Sequence, residues 1–381
     1  MTEKILCITN DFGPRAGGIE TFVMGLVERL PIGSVIVYTS AQGDTDEYDK
    51  TWSDQFGVRV IRDRTKILLP TPRVSRAVQK IVIAEEIKVA LFGAAAPLAV
   101  MAGGLRKSGV KKIIALTHGH EVWWAKLWPF KLAIGYIGEK VDHLTYLGEF
   151  TRREISRALS ETAKAAMVKI APGIDTKHFS PQPLALQLRS ALGLKDKKVI
   201  VSVGRLVHRK GQDSLISSMP EILRRHPDAH ILMVGAGPYR EHLEKLVTDL
   251  KLESAITFIG RIQHDELPRY ICVGDIFAMP SRSRLAGLEV EGLGIVYLEA
   301  SACELPVIAG KSGGAPDAVL EGETGITVDG RNPSEIAQAA IYLFDNPAQA
   351  VAMGRRGREW IYSTWRWEIW SSKFADLLKV N

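Results

Sequence analysis

The chain predicts an α/β protein of two doubly wound, parallel-sheet domains, and three observations carry the prediction. Its 381 residues are more than one ordinary hydrophobic core organises. Short runs rich in Val and Ile alternate with longer helical patterns in both halves, the rhythm of repeated βαβ units. Glycines follow several of those runs, at Gly17-Gly18, Gly204, Gly235 and Gly292-Leu-Gly294, where a strand hands over to a helix.

Composition narrows the class. Apolar residues at 46%, charged residues at 24% and 34 glycines describe a soluble enzyme more than a fibrous or disordered chain. Cys7, Cys272 and Cys303 lie far apart in apolar runs, without metal-ligand spacing or an even disulfide set, and read as buried thiols of a reducing compartment. The N-terminal residues run directly into a strand without a signal peptide's cleavage region, and no apolar run approaches bilayer length. The expected location is therefore the cytoplasmic side. The net charge of +6 is carried wholly by the first 172 residues. Between Arg59 and Lys131, 14 Lys and Arg stand against 4 Asp and Glu. Such a stretch suits nucleic acid, an anionic membrane surface or an acidic substrate.

In the front half, residues 4–9 form a first strand, followed by the Gly17-Gly18 turn and a helix over 21–30 with Phe22, Val23, Leu26, Val27 and Leu30 inward. Residues 34–39 and 58–61 are the next strands. Asp44-Thr-Asp46 between them has a metal-binding D-x-D form, but it sits in an acidic loop without apolar framing and reads as a solvated turn. Basic residues from Arg62 to Lys80 surround Leu68-Leu69-Pro70, and Trp123-Trp124 and Trp128-Pro-Phe130 stand among Lys126 and Lys131. Both stretches suit an anionic lipid interface, against the plainer reading of solvated helix faces and core tryptophans. Nucleic acid is disfavoured because no binding motif accompanies the charge. The strand at 112–117 delivers His118-Gly-His120-Glu121 at its carboxyl end, where open α/β sheets bind ligands. Pro172-Gly173 marks a turn and hinge.

The rear half opens with a buried strand over 198–203 running into Gly204, with Arg205 and Lys210 before the next helix. Two such cations neutralise a diphosphate. Gly235-Ala-Gly237 follows another strand, but Arg240 stands where a dinucleotide fingerprint needs its third glycine, which weakens an NAD reading. The strand at 256–262 ends with Arg261 and Ile262. The strand at 275–279 leads through a polar loop to Gly292-Leu293-Gly294 and an apolar helix over 295–302. The first free N–H groups of that helix, at Ile295 and Val296, form an anion site. Glu291 and Glu299 flank it, and carboxylates beside a phosphate serve better to grip hydroxyls. A phosphate held between two polyols describes a nucleotide sugar. The tail, 360–380, reads as one helical pattern with Trp365, Trp367 and Trp370.

Glu291 and Glu299 with the glycines between them form an E-x7-E element, and over essentially its whole length the chain resembles the retaining GT-B glycosyltransferases of family four. The resemblance implies two Rossmann-like domains facing across a cleft, 1–172 and 173–360, with a last helix, 361–381, crossing back to the first. It implies that Gly17 and Gly18 approach the donor phosphates and that His118, with His120 as competitor, hydrogen-bonds the donor sugar. Gly204, Arg205, Lys210 and the backbone from Gly292 to Val296 would hold the diphosphate, while Arg261 and Ile262 meet the base. Glu291 would take the sugar and Glu299 the ribose, leaving His118, Arg205, Lys210 and Glu291 as the catalytic set. Neither metal nor cofactor is expected. Within the family the chain is most similar to the branch that carries mannose from GDP-mannose to a phosphatidylinositol mannoside, adding a second mannose in α-1,6 linkage. That implies a nucleotide sugar, this lipid acceptor and the anionic inner face of the plasma membrane as partners. A different glycolipid or nucleotide sugar is the alternative, and a scaffold that binds without turnover is a third reading that the intact charged set opposes.

Overall fold

The computed structural model describes residues 3–15 and 17–380. The chain divides into two compact units, Met1–Gly173 with Glu368–Asn381, and Ile174–Trp367.

The first unit is built on a parallel sheet of β1 (Ile5–Thr9), β2 (Val35–Thr39), β3 (Arg59–Arg62), β4 (Val89–Phe92), β5 (Lys112–Ala115), β6 (His143–Tyr146) and β7 (Val168–Lys169), in the spatial order 3-2-1-4-5-6-7. The second holds β8 (Lys198–Val203), β9 (Ala229–Val234), β10 (Ile256–Gly260), β11 (Ile276–Met279), β12 (Val307–Gly310) and β13 (Gly325–Val328), in the order 10-9-8-11-12-13. Counted from each unit's own first strand, both begin with the same winding: three strands outward, then a return to the other side of the first. The central strands carry no alternation because both faces are covered; every residue of β1, β2, β4, β9, β11 and β12 is buried.

One sequence expectation is corrected. The tail is not a single helix: the helix Pro347–Trp360 ends in a π-helical turn, Ile361–Trp365, and Arg366 is extended before the helix Trp367–Leu378 begins. The break is fixed by Ile174, whose N–H donates to the Trp365 carbonyl at 2.7 Å and which bridges to Arg366. The tryptophan spacing stays helical on both sides, so periodicity alone hides the interruption. The segment grouped with the first unit accordingly starts at Glu368 rather than 361.

Candidate functional site

In an open parallel sheet the carboxyl ends of all strands share one rim, and a crevice opens where the winding reverses. In the second unit that point lies between β8 and β11. The segment after β8 carries Gly204, Arg205, Arg209 and Lys210; the one after β11 runs from Pro280 to the helix Ile295–Ala302. They are pressed together. Arg282 N–H donates to the Arg209 carbonyl at 2.8 Å. Gly211 has φ +74°, and a β-carbon there would lie 1.9 Å from the Pro280 oxygen, so this approach needs glycine.

The helix Ile295–Ala302 is anchored by Tyr297, whose hydroxyl donates to the Met279 carbonyl at 2.7 Å and lies 2.9 Å from Ser281 Oγ. Gly294 caps it with φ +78°. The loop before it rests on Gly313-Gly314: Gly314 N–H donates to the Glu291 carbonyl at 2.8 Å, and a β-carbon on Gly313 would sit 2.2 Å from that same oxygen. Backbone contacts on both sides thus fix where Glu291, Gly292 and Leu293 lie.

Glu291 is buried and paired. Its Oε2 accepts from Lys210 Nζ at 2.7 Å and from Arg209 Nη1 at 3.3 Å. Burial pushes its pKa up, but Lys210 and Arg209 outweigh that and hold it below the ordinary value. The Glu299 side chain, equally buried, has no hydrogen-bond partner among the described residues, and burial raises its carboxyl to about 7 against the pull of Lys210. Two glutamates one helical segment apart are therefore in opposite electrostatic states. Arg205 is exposed, with no ion-pair partner among the described residues, so Arg205 and Lys210 are not an equivalent pair. Gly204 (φ +152°) lies at the end of β8, and Arg261 and Ile262 follow β10 on the same rim.

Two residues that the sequence reading passed over belong to this crevice. Arg209 reaches Glu291 and, at 3.7 Å, Glu289. Arg282 is buried with its guanidinium on Asp213 (2.6 Å), Ser214 Oγ (2.8 Å) and His208 Nδ1 (3.1 Å), and Tyr239 donates to the same Asp213 oxygen at 3.0 Å. This network ties the β11 exit to the cationic loop. An arginine three residues beyond a fully buried strand was the available signal.

The equivalent crevice of the first unit, between β1 and β4, has different contents. His118 is buried with Nε2 2.6 Å from the Gly93 carbonyl, which only accepts, so Nε2 carries the proton. Burial holds this histidine below its ordinary pKa, leaving a neutral ring with a lone pair on Nδ1. His120 is one-third exposed, 3.2 Å from both the Ala96 carbonyl and Glu121 Oε1. Glu121 is fully buried and accepts from His118 N–H at 2.9 Å. Asp11 is raised to about 6 by burial and then by Glu20, with His120 and Arg15 opposing. Gly17 caps the helix Gly18–Val27; a β-carbon on it would lie 2.2 Å from Glu20 Oε2, so glycine makes room for that carboxylate. Gly18 faces open space.

The basic stretch resolves into two kinds of residue. Arg62 is tied to Asp49 at 2.6 Å and Arg73 to Asp63 at 2.7 Å. Val74, Val78 and Val82 bury one face of the helix Pro72–Ala84, while Arg64, Lys66, Arg76 and Lys80 stay exposed. Ile67 and Leu69 point outward at 65% and 52% exposure around a buried Leu68. Residues 126–132 are exposed without interruption, Trp128 at 79%. Trp123 and Trp124 are half-buried against Phe130, with ring centroids 4.9 and 4.8 Å away. No helix among the described residues is long and apolar enough to cross a membrane. Asp44 and Asp46 are exposed, the latter opening the helix Asp46–Phe56.

Comparison with known proteins identifies the family and the fold. Residues 187–360 match the family model described as glycosyl transferases group 1. The chain is 42% identical, over 98% of its own length and 98% of the relative's, to the GDP-mannose-dependent alpha-(1-6)-phosphatidylinositol monomannoside mannosyltransferase of Mycolicibacterium smegmatis. It is 40% identical, over 99% and 98%, to the GDP-mannose-dependent monoacylated alpha-(1-6)-phosphatidylinositol monomannoside mannosyltransferase of Corynebacterium glutamicum. Among solved structures, Alr3699/HepE of Anabaena in complex with UDP superposes with a TM-score of 0.82 at 18% identity, covering 98% of this chain and 99% of that one.

Proposed function

The chain belongs to the group 1 glycosyltransferases of GT-B fold, and from that premise we propose that it is a retaining, metal-independent α-mannosyltransferase. In this reading it moves mannose from GDP-mannose to a phosphatidylinositol mannoside, adding the second mannose in α-1,6 linkage at the inner face of the plasma membrane. The observation that carries it is the buried Lys210–Glu291–Arg209 cluster beside the Gly294-capped helix. Similarity to mannosyltransferases over nearly the full length supports the choice of donor and acceptor.

The chemistry follows from where charge builds. As the bond between the sugar and the β-phosphate breaks, negative charge accumulates on the departing diphosphate. Lys210 and the free N–H groups after Gly294 are fixed in advance to receive it, with the exposed Arg205 as a second cation, and such preorganised donors are usually the largest catalytic term. Lys210 supplies a compact charge in a buried site, where it acts more strongly than in water. Gly204 and the 292–296 backbone let the phosphates come close, and Arg261 and Ile262 meet the base. Glu299 accepts from the ribose hydroxyls and Glu291 from the sugar. His118, neutral and held by Gly93, offers the sugar its Nδ1 lone pair. Gly18, with open space beside it, leaves room for phosphate and acceptor, and Gly17 next to it holds the turn against Glu20. The leaving phosphate oxygen takes the acceptor's proton, so the new bond forms on the face the old one leaves.

Access to a lipid acceptor gives the exposed Leu127-Trp128-Pro-Phe130 stretch and its lysines a purpose, as rings and cations at headgroup depth. The test is incubation with GDP-, UDP- and ADP-sugars and a phosphatidylinositol mannoside extract, followed by mass and linkage analysis. One added hexose from GDP-mannose, α-1,6 linked, is expected. Transfer from another nucleotide alone, or hydrolysis without transfer, defeats the assignment.

A further inference from the structure

A hollow of about 570 Å³ lies in the second unit, where Glu304 follows the C-terminal end of the helix Ile295–Ala302. At 1.5 Å per residue that helix is about 12 Å long, so the hollow is a different place from the donor crevice at its other end. One stripe of the chain supplies most of the wall. Arg355, Arg358, Tyr362 and Arg366 recur at intervals of three, four and four residues, which keeps them on one side as the helix Pro347–Trp360 passes into its π-helical turn. Such turns are frequent at functional sites. Glu304 closes the wall from a left-handed backbone, φ +64°. A β-carbon on Gly354 would collide with the Glu304 carbonyl oxygen, so the stripe comes this close only because that position is glycine.

The charges around this hollow do not balance. Arg358 is used by the fold: Nη1 donates to the Ala302 carbonyl, Nη2 donates to the Tyr362 hydroxyl at 3.1 Å, and Nε lies 3.5 Å from Glu304. Glu359, also in the wall, stands 3.7 Å from Arg356. Arg355 and Arg366 have no ion-pair partner among the described residues. The Tyr362 ring nevertheless carries two guanidinium groups, Arg358 at 5.0 Å and Arg366 at 5.9 Å from its centroid. Like charges held a turn apart repel, a cost that a bound anion relieves. We propose that this hollow is a second anion site that takes a phosphorylated polyol. Arg355 and Arg366 supply charge and the planar, forked donors that suit phosphate oxygens. The volume is that of a site for an organic molecule, with room well beyond a bare phosphate. Ser363 and the carboxylates of Glu304 and Glu359 repel or ignore a second phosphate and accept from hydroxyl groups. The same chemistry belongs to a lipid headgroup and to a soluble sugar phosphate.

Inositol 1-phosphate is titrated into the full chain by calorimetry, with hydrogen exchange followed at residues 355–366. Binding with slowed exchange in that segment is expected, about tenfold or more weaker in an Arg355→Gln, Arg366→Gln double variant and unchanged in Lys210→Ala. Arg355 is exposed, so Arg355→Gln alone, with a severalfold loss expected, keeps the test open if the double variant does not fold. Phosphatidylcholine vesicles containing phosphatidylinositol separate the two sources. Weaker vesicle binding by the double variant assigns the hollow to a lipid headgroup; unaltered vesicle binding beside lost inositol phosphate binding assigns it to a soluble phosphate ester. No binding of inositol 1-phosphate by the intact chain overturns the site, as does equal binding by the arginine variants. Loss of binding in Lys210→Ala instead moves the ligand to the donor crevice and overturns it too. None of these readouts involves sugar transfer, so the donor assignment stands or falls separately.

Discussion

The two units share a winding order and differ in what they place at its reversal. In the second, the β8–β11 crevice gathers Arg205, Arg209 and Lys210 with a glycine-capped helix start. In the first, the β1–β4 crevice gathers Asp11, Glu20, His118, His120 and Glu121, with Arg15 pinned to Glu20 at 2.7 Å. One crevice suits a polyanion. The other, rich in carboxylates and a neutral imidazole, suits hydroxyl groups. Identical topology sets where a ligand goes; the side chains at that point decide which half of a transfer reaction it serves.

Removing the polyanion site should have the largest effect. Lys210→Ala should leave the sheet and helices intact while deleting the buried cation proposed to face the departing diphosphate, so kcat should fall by about 10²–10³ with normal circular dichroism. Near-native turnover in a folded variant removes the phosphate role and with it the contrast between the units.

Glu291→Gln sharpens the same contrast in the opposite direction. The 2.7 and 3.3 Å contacts show Lys210 and Arg209 occupied by Glu291 before any donor is present. In the proposed reading a diphosphate displaces that carboxylate, which frees Glu291 for the sugar. The amide surrenders the cations more readily, so GDP affinity should rise by about tenfold by calorimetry while turnover with GDP-mannose falls by about 10². Weaker GDP binding in this variant defeats the exchange.

How much of this was visible beforehand follows from the length of each signal. Buried strands and glycine turns are local, so most strands of both sheets and the helix Ile295–Ala302 could be read from residue order, whereas β4 and β7 were missed. Glu291, Glu299, Lys210 and Gly294 lie near those turns. What could not be read was pairing across distance. Lys210 with Glu291 and Arg282 with Asp213 are each separated by dozens of residues, and periodicity carries no information about such contacts. The extended Arg366 is the same lesson in the backbone, since its partner Ile174 stands far upstream. The basic stretch shows a further limit. Arg62 and Arg73 look like Arg64 and Lys66 in sequence, yet the first two are structural ion pairs.

The surface distinction is testable next. Exposed rings and lysines at 126–132 and the exposed Ile67 and Leu69 belong to the first unit, which carries the whole net charge. Vesicles containing phosphatidylinositol should bind the protein at low salt and release it as salt rises. A Trp128→Ala, Phe130→Ala double variant should bind about tenfold more weakly, given the apolar area those rings leave in water. Salt-independent binding, or equal binding by the variant, breaks this side of the comparison.

A smaller effect concerns Glu299. Its raised pKa, about 7, means protonation as pH falls through neutrality, and a protonated carboxyl no longer accepts from two ribose hydroxyls. The KM for donor should therefore rise severalfold from pH 8 to pH 6, and Glu299→Gln should flatten the profile. Stability runs the other way. Ionising a carboxyl whose folded pKa is raised costs the fold, so the contribution of Glu299 is full below about 4.5 and is lost as pH rises through about 7. The Gln variant should lose that slope in thermal melts.

The smallest expected effect is none, and it separates the crevices by their chemistry. If fixed cations carry the departing diphosphate, a divalent ion has no charge left to neutralise there, and turnover in EDTA should equal turnover in Mg²⁺. Asp44 and Asp46 lie exposed in the first unit, on the connection before the helix Asp46–Phe56, so their alanine double variant should retain full activity. A strict Mn²⁺ requirement abolished by that double variant would transfer the charge-bearing role from Lys210 to an acidic pair, and the division of labour between the units would have to be redrawn.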